Sequence, residues 1–356
     1  MKIHFIFPLA RSNWPLVQLL QKAIPEASFD CGGLSGLRYQ NRIQLALKLP
    51  RLIWFAFRSG RRIARWDVQP DLVCVSSDME LIGLVIARLI SRKRFPIALM
   101  GFIYTTRESA IISAIRWRYF RAVLSQALGV ICFSKFEQQY YSELFGLERT
   151  TFISTLFGGV FNKPDDLEPS NSGYVLSAGR SGRDYKRLCE AVSQLPIQAH
   201  IICDSAFALQ EVKHPANVTI LRQCYGRDYI KQLAGADIVV LPLKNEKTSS
   251  GQMVLLDAMA LGKPVIITKT ATTVEYGEHM NTLYFIEPDS ADELRSAINF
   301  LMADPSLRSS IGNAARAHYE AHHSIQPFVG GLVGAIEQIV SKHQGAAPGL
   351  GSSRSS

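Results

Sequence analysis

The chain has few cysteines, and none in the arrangement that a metal site or a disulfide framework requires. Six cysteines are spread over 356 residues, with no CxxC pair and no cluster of cysteine with histidine. This spacing argues against structural zinc and against a small scaffold stabilised by disulfides.

Long apolar runs are missing as well. No uninterrupted stretch approaches the roughly 20 residues that span a bilayer. The N-terminal run MKIHFIFPL ends at Pro8 and lacks a small-residue cleavage site, so it predicts a first strand rather than a signal peptide. We therefore expect a cytoplasmic protein.

Acidic residues are scarce in the first half only. Residues 1–160 contain 21 lysines and arginines against 10 aspartates and glutamates, whereas residues 161–356 contain 18 against 20. The net charge of +9 therefore comes from the N-terminal half. A basic domain of this kind indicates an anionic partner.

Short apolar runs alternate with helical stretches along the chain, which is typical of parallel α/β sheets. Because 356 residues exceed the size of most single domains, we predict an α/β protein with two Rossmann-like, doubly wound domains that face each other across a cleft. Strands are predicted at 4–7, 71–77, 96–101, 129–134, 174–179, 199–204, 217–221, 237–242, 264–269 and 283–287.

The predicted boundaries follow composition. Residues 157–173, FGGVFNKPDDLEPSNSG, are rich in Gly, Pro, Asn and Asp, which is typical of a linker. The tail is too poor in apolar residues to pack. The predicted parts are an N-terminal domain at 1–160, a linker at 161–173, a C-terminal domain at 174–325, a C-terminal helix at 326–343 and a disordered tail at 344–356.

A candidate phosphate site lies in residues 242–268, PLKNEKTSSGQMVLLDAMALGKPVIIT. Ser249, Ser250 and Gly251 open a predicted helix, whose free N–H groups and dipole suit a phosphate. Asp257 falls on the second turn, where a carboxylate can accept hydrogen bonds from ribose hydroxyls. The alternative is that Ser249 or Ser250 only caps the helix and that Asp257 is a solvated helix residue.

The nine residues from Asp257 to Val265 read DAMALGKPV. They resemble the sequence Glu-Ala-Met-Ala-x-Gly-x-Pro-Val of the GT4-like glycosyltransferases (glycosyl transferases group 1), which have the GT-B fold. The segments 174–192 and 281–324 resemble the opening strand–loop–helix and the closing helices of the family's second domain. Over 1–160 the resemblance rests on strand order and on 129–146.

The resemblance implies roles for particular residues. Arg180 and Arg183 would stabilise the diphosphate of a nucleotide-sugar donor as it leaves, with Lys186 a weaker candidate; the alternative is a solvated basic turn. Asp257 would hold the ribose. No cofactor and no metal are expected. The remaining donor contacts would come from Gly179, Ser249, Ser250, Gly251 and Gln252.

Two positions depart from the family pattern. An acidic residue is expected eight positions before Asp257, where this chain has Ser249. The family's bulky residue followed by glycine is replaced by Gly251 and Gln252. The sugar and the stereochemistry of transfer therefore stay open.

Catalytic acid–base candidates in the first half are few. The family often places a histidine after the fourth strand, but residues 98–109 contain none. Glu108 and Asp78 each follow a predicted strand and are candidate bases. Capping-box spacing, from Thr105 to Glu108 and from Ser77 to Glu80, is the alternative explanation for acidic residues there. Arg11, after the first strand, is a candidate for an acceptor phosphate or a solvated side chain.

Two stretches, 42–66 and 107–128, interleave arginines with aromatic residues, which suits a helix lying on an anionic lipid surface. The alternative is an amphipathic core helix with a charged face. Because both stretches lie in the basic half, we predict a peripheral membrane contact and a lipid-linked acceptor such as a polyprenyl-diphosphate saccharide. No nucleic-acid-binding motif is present, so no nucleic acid is expected.

The sequence thus predicts a metal-independent glycosyltransferase of bacterial polysaccharide or glycolipid synthesis, on the inner face of the cell membrane. Two alternatives stay open. One is a sugar-nucleotide epimerase or hydrolase of the same fold, and the other is a non-catalytic scaffold protein.

Overall fold

A computed structural model describes residues 1–34, 42–105, 109–159, 161, 164–205, 208–210, 212–244 and 247–345; for 42–48 and 345 it describes the backbone alone. The chain forms two compact units. The first consists of Met1–Thr155 together with the C-terminal helix from Val329 onward, and the second of Leu156–Phe328.

The first unit contains a six-stranded parallel sheet in the order β2-β1-β3-β4-β5-β6. Its strands are β1 (Ile3–Phe7), β2 (Ser28–Cys31), β3 (Leu72–Val75), β4 (Ile97–Met100), β5 (Gly129–Cys132) and β6 (Thr151–Ser154). Its helices are α1 (Pro15–Ala23), α2 (Arg42–Ile63), α3 (Asp78–Ser91), α4 (Ala110–Leu124), α5 (Lys135–Phe145) and most of α11 (Ile325–Gly345).

Local signals explain where several of these helices begin and end. Ser77 caps α3 by accepting a hydrogen bond from the backbone N–H of Glu80, and Ser134 caps α5 in the same way. Gly146 ends α5 in the left-handed conformation that glycine adopts without strain. The strands β3, β4 and β5 are buried throughout, as central strands of a parallel sheet covered on both faces are.

The second unit repeats this architecture, with sheet order β12-β11-β10-β7-β8-β9, again parallel throughout. Its strands are β7 (Tyr174–Ala178), β8 (Gln198–Ile202), β9 (Val218–Leu221), β10 (Ile238–Leu241), β11 (Val265–Thr268) and β12 (Tyr284–Ile286). Its helices are α6 (Tyr185–Val192), α7 (Arg227–Gly235), α8 (Gln252–Ala260), α9 (Ala291–Ala303) and α10 (Pro305–His322).

The stretch expected to link the domains, 161–173, is attached to the second unit. The backbone N–H groups of Ser170 and Ser172 donate to the carbonyls of Ala234 and Gly235, at 2.9 and 3.0 Å. The buried Lys263 ammonium donates to the Ser170 carbonyl at 2.6 Å. These bonds hold residues 170–172 against α7 and the loop that follows α8, and the division between the units falls before the stretch, at 155/156.

The C-terminal helix α11 returns to the first unit. Ile339 is fully buried, and its side chain packs so closely on Gly129 of β5 that any side chain at 129 would collide with it. The tail is predicted to begin at 344, but α11 extends to Gly345; residues from 346 onward lie outside the described residues.

The α/β prediction is confirmed, and every predicted strand is present. Two strands, β2 and β6, are not among those predicted, and both are edge strands. Edge strands are only partly covered, so their sequences lack the continuous apolar run that marks a buried strand. Within the described residues, no helix has the length and apolarity to cross a membrane.

Candidate active site

The second unit has a topological switch point between β7 and β10. From β7 the chain continues to β8 on one side, whereas β10 pairs with β7 on the other. Ligands of open α/β sheets bind beyond the carboxyl ends of such strands. Two loops meet there: the backbone N–H of Asp184 donates to the Pro242 carbonyl at 2.8 Å, and that of Lys244 to the Gly182 carbonyl at 3.0 Å.

Arg183 lies at the centre of this junction with only 7% of its surface exposed. Its Nε donates to the Ala178 carbonyl at 2.8 Å and its Nη1 to the Ser181 carbonyl at 2.9 Å. Gly179, at φ +109°, must remain glycine because a Cβ there would lie 2.6 Å from Nη2 of Arg183. A Cβ at Gly251, before α8, would lie 3.4 Å from Nη1.

The charge of Arg183 has no carboxylate partner among the ion pairs of the described residues. Burial lowers the pKa of its guanidinium. A buried cation without a counter-ion is costly unless an anion neutralises it. The two glycine turns therefore enclose a positive charge that suits a phosphate.

The other two predicted cations lie at the surface. Arg180 directly follows Gly179 and is exposed, and Lys186, the second residue of α6, is exposed as well. Arg180 therefore lies beside the glycine turn with its side chain accessible. Lys186 extends from the helix that follows the turn.

The helix α8 begins differently from the capping alternative. Its N-cap is Gly251, at φ +86°, which has no side chain with which to cap. The alternative, that Ser249 or Ser250 only caps the helix, is wrong because Gly251 occupies the N-cap in the left-handed conformation. Ser249 is buried and Ser250 half-buried in the loop before it.

Asp257 lies on the second turn of α8, as predicted. It lines a cavity of about 430 Å³ in the second unit. Burial raises its carboxyl pKa to about 6, opposed by a hydrogen bond from the Tyr229 hydroxyl to Oδ2 at 3.0 Å. The other lining residues are Phe161, Pro164, Gly226, Arg227, Tyr229 and Ile230.

Sequence reasoning missed two tyrosines of this site. Tyr229 of α7 binds Asp257. Tyr276 is buried and accepts two hydrogen bonds, from Nε2 of Gln252 at 2.7 Å and from the backbone N–H of Phe157 at 3.0 Å. No sequence motif contains either tyrosine, because each reaches the site only through a contact with a residue 24 or more positions away in the chain.

Of the two acid–base candidates of the first unit, Asp78 lies just beyond the carboxyl end of β3. Asp78 is the first residue of α3, and its Oδ2 accepts a hydrogen bond from the Tyr119 hydroxyl at 2.9 Å. The Ser77–Glu80 cap is confirmed, with 3.3 Å between Ser77 Oγ and the N atom of Glu80. Burial raises the pKa of the Glu80 carboxyl to about 7. Glu108 lies outside the described residues.

Arg11 lines a second cavity, of about 370 Å³, at the carboxyl ends of β1 and β2. Its other lining residues are Leu9, Asn13, Trp14 and Gly33. An arginine, an amide and an indole around one opening suit a ligand with anionic and sugar-like parts.

In the described residues, no group of three or more His, Cys, Asp or Glu side chains is placed to hold a metal.

The structure brings Gly179, Arg183 and Gly251 together at one junction, while Asp257 lines a cavity in the same unit. Residues 162–318 match the family model described as "Glycosyl transferases group 1". The second unit is a glycosyl transferases group 1 domain. This confirms the resemblance drawn from the sequence.

One curated relative is the GDP-mannose-dependent monoacylated alpha-(1-6)-phosphatidylinositol monomannoside mannosyltransferase of Corynebacterium glutamicum. It is 32% identical over 112 residues. The match covers 30% of this chain and 29% of that relative.

Two solved structures have the same fold as this chain over nearly its whole length. Sucrose-phosphate synthase from Thermosynechococcus elongatus has a TM-score of 0.68 at 19% identity, covering 96% of this chain and all of its own. Anabaena HepE, solved with UDP, has a TM-score of 0.63 at 19% identity. The match covers 97% of this chain and 100% of the HepE chain. The GT-B fold prediction is confirmed.

Proposed function

We propose that the protein is a glycosyltransferase that moves a sugar from a nucleotide-diphospho-sugar donor to a lipid-linked saccharide acceptor. The observation that carries the proposal is Arg183, a buried cation without a carboxylate partner in the described chain, held between two glycine turns at the switch point of a group 1 domain. The diphosphate of a donor supplies the anion that this position needs.

Leaving-group stabilisation would drive the transfer. As the bond between the sugar and the diphosphate breaks, negative charge grows on the diphosphate, and Arg180 and Arg183 offset it electrostatically. The N-terminal N–H groups of α8, together with Ser249, Ser250 and Gln252, would contact the phosphates and the sugar. With these groups in place no metal is required by the proposal.

The nucleoside would occupy the cavity beside Asp257. An ionised Asp257 accepts hydrogen bonds from ribose hydroxyls, and Tyr229 holds its other oxygen. The base would lie toward Gly226 and Arg227. Two similar proteins suggest which nucleotides to test first, since the Anabaena structure contains UDP and the Corynebacterium relative is named as GDP-mannose-dependent.

The acceptor would bind the first unit, with Arg11 on a phosphate and Asp78 or Glu108 as the base. We propose a polyprenyl-diphosphate or similar lipid carrier, and a position on the inner face of the cell membrane in polysaccharide or glycolipid synthesis. Support comes from the basic N-terminal half and from the named lipid acceptor of the Corynebacterium relative. The basic stretches 42–66 and 107–128 would contact the anionic surface.

A thermal-shift panel of UDP, GDP, ADP, CMP and their sugar conjugates tests the donor site. We expect one nucleotide diphosphate to raise the melting temperature, and Asp257→Ala and Arg183→Met to abolish the shift. Asp292→Ala, at an exposed position on α9, is the matched control and should keep it. No shift from any nucleotide would contradict the proposal.

Turnover separates the proposal from its two alternatives. Donor consumption that requires a lipid-linked acceptor supports transfer, and Arg180→Ala should then slow turnover at saturating donor. Donor consumption without any acceptor would instead show an epimerase or a hydrolase. Nucleotide binding without turnover would show a scaffold protein.

A further inference from the structure

The helices on the surface of the first unit differ in what they present to solvent. The outward faces of α1 and α5 are polar, as usual for a soluble domain. They present Gln18, Gln21 and Lys22 on α1, and Gln139, Ser142 and Glu143 on α5. Two other helices, α3 and α4, present isoleucine and leucine instead.

On α4 the aromatic residues, expected from their spacing to lie on a membrane surface, face inward. Trp117 Nε1 donates to the Leu144 carbonyl at 3.0 Å, and Phe120 packs edge-on against Phe102. The outward stripe is formed by Ile111, 74% exposed, and Ile115, 60% exposed, followed by Arg118 one turn later. No acidic residue occurs in α4.

On α3 the exposed stripe is apolar along the second half of the helix. Leu89 is 74% and Ile90 57% exposed, and Ile86 lies one turn before them. The helix is followed at once by Arg92, Lys93 and Arg94, all exposed. This stripe lies outside both of the basic aromatic stretches, 42–66 and 107–128.

On α2 the outward stripe is cationic around one indole. Arg51, Trp54 and Arg58 follow one another at i, i+3 and i+7, so they lie on the same side of the helix. Trp54 is 59% exposed. Like α4, α2 contains no acidic residue.

The three stripes lie on one side of the first unit. The connections β2–α2–β3, β3–α3–β4 and β4–α4–β5 all run in the same direction across the sheet. Such parallel connections are right-handed, so their helices cover the same face. Contacts agree with this: a Cβ at Gly60 of α2 would lie 2.7 Å from Ala87 of α3, and Tyr119 of α4 bonds Asp78 of α3.

We infer that the outward faces of α2, α3 and α4 together form a surface that docks on an anionic lipid bilayer. The isoleucines and leucine of α3 and α4 enter the interface between headgroups and acyl chains, while the arginines of α2 and of 92–94 bind lipid phosphates. The inference deepens the membrane contact of the proposed function, and rests on it for the lipid nature of the acceptor.

Charge decides in favour of lipid over other occupants. An exposed apolar stripe alone would also suit a second copy of the chain, but these stripes are bordered by arginines and lysines and by almost no carboxylates. Within the residues of the helices α2, α3 and α4 the acidic side chains are Asp78, hydrogen-bonded to Tyr119, and Glu80, which is buried. Two identical cationic faces repel each other, whereas an anionic membrane attracts them.

Vesicle binding tests this surface. Wild-type protein is expected to co-sediment with vesicles of phosphatidylcholine and phosphatidylglycerol, and to bind much more weakly to phosphatidylcholine alone. Ile111→Ser with Ile115→Ser, and Leu89→Ser with Ile90→Ser, should each lower partitioning at least about tenfold, since each removes apolar groups that enter the bilayer. Val68→Ser with Phe300→Ser, exposed apolar positions outside the surface, is the matched control and should bind like wild type.

The electrostatic contribution to vesicle binding is tested with one double variant on α2 and one control double variant in the second unit. Arg51→Gln with Arg58→Gln should weaken binding to anionic vesicles and reduce its dependence on salt. Lys213→Gln with Lys231→Gln, exposed in the second unit, removes the same charge and should change neither.

The nucleotide-induced thermal shift is measured on every variant. Loss of vesicle binding with the shift intact supports the inference and shows that the variants fold. The inference would be overturned if wild-type protein showed the nucleotide shift but did not bind anionic vesicles. It would also be overturned if the serine variants bound vesicles as wild type does. Neither outcome would contradict the donor site. A concentration-dependent dimer that the serine variants abolish would identify a second copy as the occupant instead. Vesicle binding without any nucleotide shift would contradict the donor proposal alone.

Discussion

Arg180 and Arg183 are three positions apart in one basic turn, yet they occupy opposite environments. Arg183 is buried between two glycine turns, whereas Arg180 is exposed. A buried cation is fixed in place before a ligand arrives, so it acts as a pre-organised partner for a phosphate. The Arg180 guanidinium is instead accessible to solvent, which screens its charge. The two residues of the proposed diphosphate site are therefore expected to contribute differently.

Asp257, the proposed ribose-binding residue, shows what the burial of a carboxylate costs in stability. Burial raises its carboxyl pKa from an ordinary value of 3.8 to about 6. The native state therefore binds this proton more tightly than the unfolded chain, and the associated stability is present at low pH and lost as the pH rises through about 6. Above that pH the ionised carboxylate destabilises the free protein, but in the proposed function it is the form that accepts hydrogen bonds from ribose hydroxyls.

We predict that Asp257→Asn stabilises the nucleotide-free protein by about 1–2 kcal/mol near pH 8, and by much less near pH 4. Urea unfolding of both proteins at the two pH values measures the difference. The same variant should lose the nucleotide-induced thermal shift. A stability difference that does not change with pH would show that Asp257 is not buried as described.

At the scale of elements, the candidate site depends on two glycines that adjoin a strand and a helix. Gly179 follows β7 and Gly251 precedes α8, and both have positive φ. At Gly179 the missing side chain leaves room for the guanidinium of Arg183, whereas a Cβ at Gly251 would lie 3.4 Å from that guanidinium, at van der Waals distance. The strand and the helix thus contribute to the site through backbone geometry rather than through their own side chains.

We predict that Gly179→Ala abolishes the nucleotide shift because the added methyl group displaces Arg183. Gly173 offers a matched control, since it also has positive φ, +79°, but no atom lies within 4 Å of an added Cβ. Gly173→Ala should cost about 1–2 kcal/mol of stability through backbone strain and keep the nucleotide shift. Thermal scans with and without the nucleotide compare the two. Equal loss of the shift in both variants would assign the effect to strain alone.

At the scale of the whole molecule, the first unit is built from two segments that are far apart in the sequence. The last helix, α11, packs into the first unit, where Ile339 meets Gly129. The stability of the N-terminal unit therefore depends on residues near the end of the chain. In the sequence, the group 1 domain, which has its own buried core, separates the N-terminal segment of the first unit from α11.

We predict that Ile339→Ala lowers the stability of the first unit by about 2–4 kcal/mol through the cavity it leaves. The nucleotide-induced stabilisation of the second unit should remain, and differential scanning calorimetry should show one transition shifting without the other. Glu337→Ala, exposed on the same helix, should change stability by less than about 0.5 kcal/mol. A single transition that shifts as a whole would mean that the two units unfold together.

The sequence by itself determined the α/β class, ten of the twelve strands and the segment that forms the group 1 domain. These features depend on local patterns. A buried strand requires a continuous apolar run, and the motif DAMALGKPV is recognised from nine consecutive residues without knowledge of the tertiary structure. The same logic found Asp257 and the glycine turn at 179, because both are set by position relative to a strand or a helix.

Only the tertiary structure decided how deep each side chain lies. It buried Arg183 and exposed Arg180, joined Tyr229 to Asp257 and Tyr276 to Gln252, and turned the isoleucines of α4 outward and its aromatic residues inward. It also returned α11 to the first unit. The physical reason is the same throughout: burial and contact depend on elements far apart in the chain, and helical spacing alone cannot tell which of two apolar faces meets the core.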